Sequence, residues 1–395
     1  MTSRERFPWA AMASIGFTVF ALVTSEFLPT GMLPSMSADL DVSTSQIGFL
    51  VSVWAATVVA TAIPLSIATR RFSRKSLLIT SVVLFTASNI AAALTTSYAV
   101  LFASRIVGGV GNGMFWMIAT GYVTTLLPQH LRSRGFLFIS GGANLAFIGG
   151  LPLGSALAAV TDWRSAFLIM TALTLGASVG LFFLLTPVPN PHTSGHHADG
   201  SIVRDRTFPL VLLAVSGVFL VVGGGNVFYP YITPFLIDVA HFTPTTVAIP
   251  LAFYGIGGSL GIVFAERIGR RPATLSRNIA WAILYMALMM TLVNLAALSS
   301  VTMIASLALW SVGFSVVEPL YGQYIMELAS PRLRDFAGAL RTTAWNLGIG
   351  GGSFIGGLLL VPFGIASLPF IGAGVLGVAA VMAFVARRRE LAGAN

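Results

Sequence analysis

The stretch Ala21–Pro34 reads ALVTSEFLPTGMLP and places one carboxylate, Glu26, inside an apolar run. That run extends from about residue 8 to residue 33, whereas a helix rising 1.5 Å per residue needs only ~20 residues to cross the hydrocarbon core of a bilayer. A charged carboxylate inside such a helix is costly, so it normally faces a partner, a water-filled cavity or a proton path. The stretch therefore predicts a membrane-spanning helix beside a polar space that other helices build.

The composition extends this prediction to the whole chain. Of its 395 residues, 56% are hydrophobic and 9% are charged, and the mean hydropathy is +0.87. Average soluble proteins are about 25% charged. We predict an all-α membrane protein with twelve transmembrane helices and no large soluble catalytic domain. The apolar blocks lie at residues 8–33, 46–68, 76–94, 99–127, 135–160, 165–186, 209–237, 245–265, 278–298, 301–328, 336–361 and 365–386.

The basic residues predict the orientation of these helices. The chain has a formal net charge of +9, and most of its 22 Lys and Arg residues fall in the two termini and in alternate connections. By the positive-inside rule, both termini and those connections are cytoplasmic. The distribution therefore indicates membrane topology rather than nucleic-acid binding. We expect the first helix to be an uncleaved span, because its apolar run is too long for a signal peptide.

A polar stretch at residues 187–208, PVPNPHTSGHHADGSIVRDRTF, divides six blocks from six. It predicts a cytoplasmic linker between an N-terminal six-helix bundle, residues 1–186, and a C-terminal one, residues 209–395. His192, His196 and His197 lie in this stretch, whose composition favours a solvated connector over a metal site. We expect no metal site.

An internal repeat supports this division into two pseudo-symmetric bundles. Residues 131–150 align with residues 333–352, which pairs Asn144 with Asn346, and residues 70–75 align with residues 266–271. In transporters built from such repeats, the binding site lies near the midplane at the interface of the halves.

Several motifs resemble those of the major facilitator superfamily. ERIGRR, residues 266–271, resembles its signature of an acid, a base, a spacer, a glycine and two bases. Arg105 in LFASRIVGGVGNG resembles the fourth-span arginine of proton-coupled members, and GGLPLG at 149–154 resembles a fifth-span motif of exporters. SEFLPTGMLPSMSADLDVS in the first span is similar to twelve-span drug:proton antiporters, especially bacterial sugar-efflux and purine-nucleoside-efflux transporters.

The resemblance implies a proton-coupled antiporter of a bacterial inner membrane that exports a sugar, a nucleoside or a drug by alternating access. The proton gradient supplies the energy, so we expect no cofactor and no enzymatic activity. The expected partners are the solute, protons and the lipid bilayer, with no nucleic acid, and we expect a monomer. Two alternatives stay open, namely an uptake facilitator or proton symporter of the same fold, and a membrane receptor that does not transport.

The resemblance also predicts a cytoplasmic gate at the inner ends of the helices. Charge pairs there form when the cavity faces outward and break when it faces inward. In the first half, this chain has Arg70 where the family pattern has an acid, so we expect Glu266 to carry more of the gate. The predicted gate residues are Arg70, Arg71, Arg74, Glu266, Arg267, Arg270, Arg271, Glu327 and Arg334.

Three charged residues within the blocks are candidates for proton coupling, namely Glu26, Arg105 and Glu318. Glu26 and Arg105 lie roughly 10 Å and roughly 9 Å from the same side of the membrane, so they can meet. Burial favours the neutral acid and a nearby arginine favours the carboxylate, a balance that suits a proton carrier. The alternative is a static pair that joins two helices. Glu318 lies near mid-membrane, where Arg341 can instead neutralise it in a structural pair.

Polar and aromatic residues within the blocks are candidates for contacting the solute. Asn112 and Trp116 follow Arg105 at i+7 and i+11, on one helical face. A second stripe, at i, i+3 and i+7 from Asn226, lies beside prolines that can break the helix and free carbonyl groups. The alternatives are an interfacial tryptophan and packing asparagines. The full predicted set is Asn112, Trp116, Asn144, Asn226, Tyr229, Thr233, Tyr321 and Asn346.

Overall fold

The computed structural model describes residues 7–69, 71–187, 205–269, 275–330 and 332–393. Every regular element in these ranges is helical, and twelve helical segments are long and apolar enough to cross a membrane. The predicted fold class, an all-α membrane protein with twelve spans, is confirmed. The predictions for Arg70, Arg270, Arg271 and the linker histidines concern residues outside these ranges.

Seven helices precede the linker and seven follow it within the described residues. The first set is α1 (Trp9–Asp39), α2 (Thr44–Ala68), α3 (Arg74–Leu94), α4 (Tyr98–Leu126), α5 (Arg132–Leu145), α6 (Leu151–Val160) and α7 (Trp163–Leu184). The second set is α8 (Phe208–Phe228), α9 (Ile232–Asp238), α10 (Ala248–Gly269), α11 (Leu275–Leu295), α12 (Ser300–Leu328), α13 (Arg334–Phe363) and α14 (Leu368–Gly393).

The chain forms two compact units. The first comprises Met1–Ser43 and Val53–Thr193, and the second comprises Thr44–Ser52 and Ser194–Asn395. The core of the first unit is an apolar cluster that includes Trp54, Phe85, Phe115 and Tyr122. The division into bundles at residues 1–186 and 209–395 stays a prediction.

Helix α1 continues past the predicted end at residue 33 and ends at Asp39. The last residues of this helix are polar, so hydropathy alone gives no reason for them to be helical. A contact with α7 fixes its end instead, because the Arg164 guanidinium lies 2.7 Å from the Asp39 carboxylate and the Trp163 indole donates to the same oxygen. Arg164 also donates to the main-chain carbonyl of Thr95, which follows α3.

Glycines allow α1 to pack closely against the fifth span. A Cβ atom added at Gly16 would lie 2.9 Å from the Phe138 carbonyl oxygen, and one added at Gly150 would overlap Thr24. The fifth span contains a π-helical turn, Ala146–Gly150, between α5 and α6. Pro152 follows this turn, and a proline ring collides with the carbonyl group four residues earlier in a regular α-helix. The wider π turn accommodates that collision and keeps the glycines against α1.

The seventh span is broken in its middle. A buried 3₁₀ turn, Tyr229–Tyr231, separates α8 from α9 and contains Pro230. Proline removes one helical hydrogen-bond donor, which explains why the break falls at this position. The turn places Tyr229 within the second unit, between the polar residues Asn226 and Thr233 of the predicted stripe.

Candidate functional site

Glu26 lies in the middle of α1, and only 8% of its surface is exposed. The side-chain amide of Asn112, on α4, donates to the Glu26 carboxylate across 3.3 Å. Asn112 is itself buried. Helix α4 therefore supplies a neutral donor to an acid that water hardly reaches.

Arg105 lies about two helical turns before Asn112 on α4 and is fully buried. Its guanidinium donates to two main-chain carbonyl oxygens of α1, that of Ser25 at 3.3 Å and that of Glu26 at 2.8 Å. The guanidinium also lies over the Trp54 ring of α2, 4.1 Å from the ring centroid. Such a cation–π contact strengthens when it is removed from water.

The two charged groups are neighbours without forming an ion pair. The ion pairs present among the described residues join other side chains. Arg105 is held by carbonyl groups and an aromatic ring, so its position does not depend on the charge of Glu26.

Helix α3 also contacts α1 beside Glu26. The Ser25 hydroxyl donates to the Asn89 side-chain oxygen of α3 across 2.6 Å, and Asn89 is fully buried. Ser25, Asn89 and Trp54 are not among the site residues predicted from the sequence. Asn89 carried a usable signal, since an amide in the middle of an apolar span needs a partner. Trp54 carried none, because an aromatic residue in a span is ordinary.

The other predicted residues of this half have different surroundings. Trp116 packs against the apolar core of the first unit, with its ring edge-on to Phe115 at 5.7 Å. Asn144 is half-buried on α5. Of the predicted face on α4, Arg105 and Asn112 therefore contact α1 at Glu26, and Trp116 contacts the core.

Glu318 and Arg341 form a direct ion pair between α12 and α13. The side chains are 35% and 30% exposed, respectively. Tyr321, three residues after Glu318, is buried against a different helix, since a Cβ atom added at Gly217 of α8 would overlap its hydroxyl group. The structure thus brings Glu318 to Arg341 and keeps Tyr321 apart from that pair.

An aromatic cluster lies beside the broken seventh span. The Tyr229 ring centroid is 5.1 Å from that of Tyr254 on α10 and 6.4 Å from that of Trp310 on α12, and the latter two are 5.3 Å apart. Tyr254 and Trp310 were not predicted as site residues. They lie two spans apart in the sequence, and only helix packing brings them together.

Buried polar atoms accompany this cluster. The Asn226 amide donates to the Val222 carbonyl of its own helix, while its side-chain oxygen has no partner among the described residues. The Thr233 hydroxyl and the Trp310 indole nitrogen are likewise buried without a partner in those ranges. An unsatisfied buried polar atom costs about 1–3 kcal/mol. The Asn346 side-chain amide, on α13, donates to the Thr342 carbonyl of its own helix.

The predicted gate residues that the structure describes lie at helix ends or in the connections between helices. Arg74 at the start of α3 donates to the Thr125 hydroxyl at the end of α4 across 2.8 Å. Gln323 on α12 donates to the Glu327 carboxylate at 2.7 Å and to the Gly269 carbonyl at the end of α10 at 3.1 Å. Glu327 is thus tied through Gln323 to the helix that carries Glu266. Other gate residues on described helix ends and connections are exposed, namely Arg71, Arg267 and Arg334.

Comparisons with known proteins place this architecture in a family. The family model of the Major Facilitator Superfamily matches residues 15–350 and 217–394. A probable sugar efflux transporter of Helicobacter pylori (strain G27) is 27% identical over 380 residues, which cover 96% of this chain and 95% of that protein. A probable sugar efflux transporter of Haemophilus influenzae (strain PittGG) is 28% identical over 363 residues, covering 91% and 89%.

A solved structure agrees at the level of the fold. A bacterial homolog to the human lysosomal transporter Spinster, determined in an inward-facing and unoccupied conformation, superposes with a TM-score of 0.75. The superposition covers 97% of this chain and 98% of that one, at 16% sequence identity. Twelve apolar helices, two matches of the family model and this fold lead to one conclusion. The chain belongs to the major facilitator superfamily and is a multi-pass membrane transporter.

Proposed function

We propose that this transporter exports a small polar solute of the sugar class in exchange for protons, with Glu26 as the proton-carrying group. The observation that carries the proposal is the arrangement around Glu26. Its carboxyl is buried in the middle of a span, its side-chain partner is the neutral amide of Asn112, and Arg105 is near it without forming an ion pair.

This arrangement gives both protonation states of Glu26 a role. When the site is dry, burial favours the neutral acid because a charge in a low-dielectric medium loses its hydration. When water or a polar solute enters, the adjacent guanidinium of Arg105 favours the carboxylate. Protonation and solute binding therefore select opposite states of one group, which is the coupling that exchange requires. A proton that enters with the membrane potential contributes about 2.3 kcal/mol per 100 mV.

Other observations support the proposed direction of transport and the proposed class of solute. The relatives from Helicobacter pylori and Haemophilus influenzae are named probable sugar efflux transporters. The glycine–proline segment 149–154, which resembles an exporter motif, packs against the same helix that carries Glu26, with Gly150 at Thr24. Both features favour efflux over uptake.

The second unit offers contacts that suit a sugar. The Tyr229, Tyr254 and Trp310 rings form a buried aromatic cluster whose planes are inclined to one another by 34° to 60°, and a ring of such a cluster can stack on the C–H face of a sugar. The unpartnered atoms of Asn226 and Thr233 offer an acceptor and a hydroxyl group for sugar hydroxyls. A bound solute would then remove the energetic cost of leaving these atoms unsatisfied.

The sign of solute-driven proton movement tests the proposal. The full chain is reconstituted in proteoliposomes that contain the pH dye pyranine, without an imposed gradient, and labelled mono- and disaccharides, a nucleoside or chloramphenicol are added outside. Antiport predicts that the lumen becomes more alkaline as a sugar enters and protons leave. Symport predicts acidification, a facilitator or a receptor predicts no change, and either outcome contradicts the proposal.

Two variants control for leaks and for folding. Glu26→Gln should abolish the pH change while the protein stays monodisperse. Asp238→Asn removes an exposed carboxylate at the end of α9 and should leave the signal as in the unmodified protein. If the Glu26 variant still moves protons with solute, another group carries them.

A further inference from the structure

A groove of about 530 Å³ opens between α10, α11 and α12 of the second unit. It is separate from the Glu26 and Tyr229 clusters, and none of the roles discussed above accounts for it as a whole. Gly313 of α12 forms part of its floor, where a Cβ atom would lie 3.0 Å from the Tyr285 ring. The absence of a side chain at this position keeps the groove open beside Tyr285.

Two arginines line one end of the groove. Arg267 lies two residues before the end of α10, and Arg277 lies two residues after the start of α11. Both are exposed, and neither forms an ion pair or a hydrogen bond with another described side chain. Asn278 holds the two helices together here, because its amide donates to the Ile268 carbonyl. The groove therefore has a positively charged mouth at the predicted cytoplasmic ends of its helices.

The groove becomes apolar with depth. Trp281 and Tyr285 follow Arg277 at i+4 and i+8, so the three side chains form one stripe that runs about 12 Å along α11. The Tyr285 hydroxyl is satisfied by the Leu309 carbonyl, which leaves its ring as an apolar wall. Val316 of α12 lines the same wall. The order of charge, indole and hydrocarbon matches the order of groups in a phospholipid.

This face of the second unit carries the features of a surface in contact with lipid. Trp281 is 57% exposed, and large apolar side chains next to the groove are exposed as well, among them Leu260, Phe264, Leu284 and Leu288. An aqueous solute path would need polar groups at such positions. Tryptophan and tyrosine also concentrate at the membrane interface, where one end of the ring system is apolar and the other is wet.

We propose that this groove binds one anionic phospholipid, with its phosphate group between Arg267 and Arg277 and an acyl chain along Trp281 and Tyr285. Arginine presents a planar set of donors that matches a phosphate group. Basic pockets between transmembrane helices on the cytoplasmic side are suited to anionic headgroups, and the predicted orientation puts the mouth in that leaflet. A free phosphate ion would leave the hydrocarbon part of the groove without an occupant.

Lipid titration of the purified full-length protein in an uncharged detergent tests this site. Native mass spectrometry counts bound phosphatidylglycerol and, separately, bound phosphatidylcholine. We expect one phosphatidylglycerol to bind in preference to phosphatidylcholine. Arg277→Gln should weaken that binding about fivefold, because one basic residue near an anionic surface contributes roughly this factor to the binding constant. Replacing Arg267 by Gln as well should weaken binding by a similar further factor.

Two further variants separate the groove from general electrostatic attraction. Arg206→Gln removes an exposed basic residue before α8 and should leave binding unchanged. Ala282→Trp fills the groove from α11, keeps both arginines and should abolish retention of the lipid. Equal loss in the Arg206 and Arg277 variants, retention in the Ala282 variant, or displacement of the lipid by excess inorganic phosphate would each overturn the proposal.

Discussion

Two glutamate–arginine neighbours, one in each unit, have opposite arrangements. Glu26 on α1 is almost fully buried, accepts from the Asn112 amide, and has Arg105 beside it bound to carbonyl groups. Glu318 on α12 is about one-third exposed and pairs directly with Arg341. From the sequence, both acids were predicted to be proton carriers for the same reason. Each lies within a span, and an arginine of another span lies close enough in depth to meet it.

The difference lies in what protonation would cost at each site. Protonating Glu318 would break its ion pair with Arg341, so the contacts of Arg341 depend on the charge of this acid. Protonating Glu26 would leave a carboxyl oxygen that still accepts from the Asn112 amide, and it would leave the hydrogen bonds and the ring contact of Arg105 in place. Proximity to an arginine therefore does not by itself predict an ion pair, because the other partners of that arginine decide whether one forms.

The largest expected effect is on transport driven by a pH gradient. Glu26→Gln should reduce it by about 100-fold or more, the loss typical of removing a proton-transfer group. Glu318→Gln should retain it within a few fold, because its carboxylate is already neutralised. Accumulation of labelled sugar in vesicles under an imposed pH gradient measures both. Equal losses in the two variants would remove the distinction between the pairs.

The second prediction compares the loss of folding stability when Arg105 and Arg341 are each replaced by lysine. Arg105→Lys keeps the charge but loses the fork that reaches the carbonyl groups of Ser25 and Glu26, so unfolding should become easier by about 1.5–3 kcal/mol. Arg341→Lys should cost less than about 1 kcal/mol, since a partly exposed ion pair is screened by water. Denaturation in detergent compares them. A larger loss at Arg341 would contradict this ranking.

A smaller effect measures the ion pair itself. A double-mutant cycle with Glu318→Gln, Arg341→Gln and both changes together should give a coupling of about 0.2–1 kcal/mol, the range of exposed pairs. The coupling should shrink as salt is added, because salt screens charges that water reaches. A coupling of several kcal/mol that ignores salt would show that the pair behaves as a buried one.

The smallest change should be at a partly exposed acid outside the spans, which serves as a reference for the two acids inside them. Asp205, before α8, accepts from the Ser330 hydroxyl at 2.6 Å and from the Thr207 hydroxyl and main-chain nitrogen. These hydrogen bonds, the Ser330 bond foremost, lower the pKa of the Asp205 carboxyl below its usual value.

A carboxyl group with a lowered pKa binds fewer protons in the folded state than in the unfolded state. The stabilisation from Asp205 is therefore present above the unfolded pKa of about 3.9 and is lost as the pH falls through the lowered value. Asp205→Asn should flatten the dependence of the melting temperature on pH slightly between about pH 5 and pH 3. An unchanged slope would mean that these contacts do not contribute in solution.

The sequence predicted the spans well and parts of the site. Hydropathy found all twelve apolar segments, and residue depth along α1 and α4 put Glu26 and Arg105 at one level. Trp54, Tyr254 and Trp310 were missed because nothing in an apolar span marks which face an aromatic residue presents. Helix α1 was predicted too short because a tertiary ion pair, not hydropathy, stabilises its last turn.

Hydropathy along the sequence was enough to predict that this chain crosses a membrane twelve times and that Glu26 and Glu318 lie inside two of the spans. This prediction succeeds because each span must meet the same requirement on its own. In lipid, every backbone polar group that is left without a hydrogen bond costs free energy, so each span must be apolar and helical along its whole length. Only the tertiary structure decided that Glu26 has an amide partner and Glu318 an arginine. That choice depends on which helix faces pack together, and residues far apart in the chain set it.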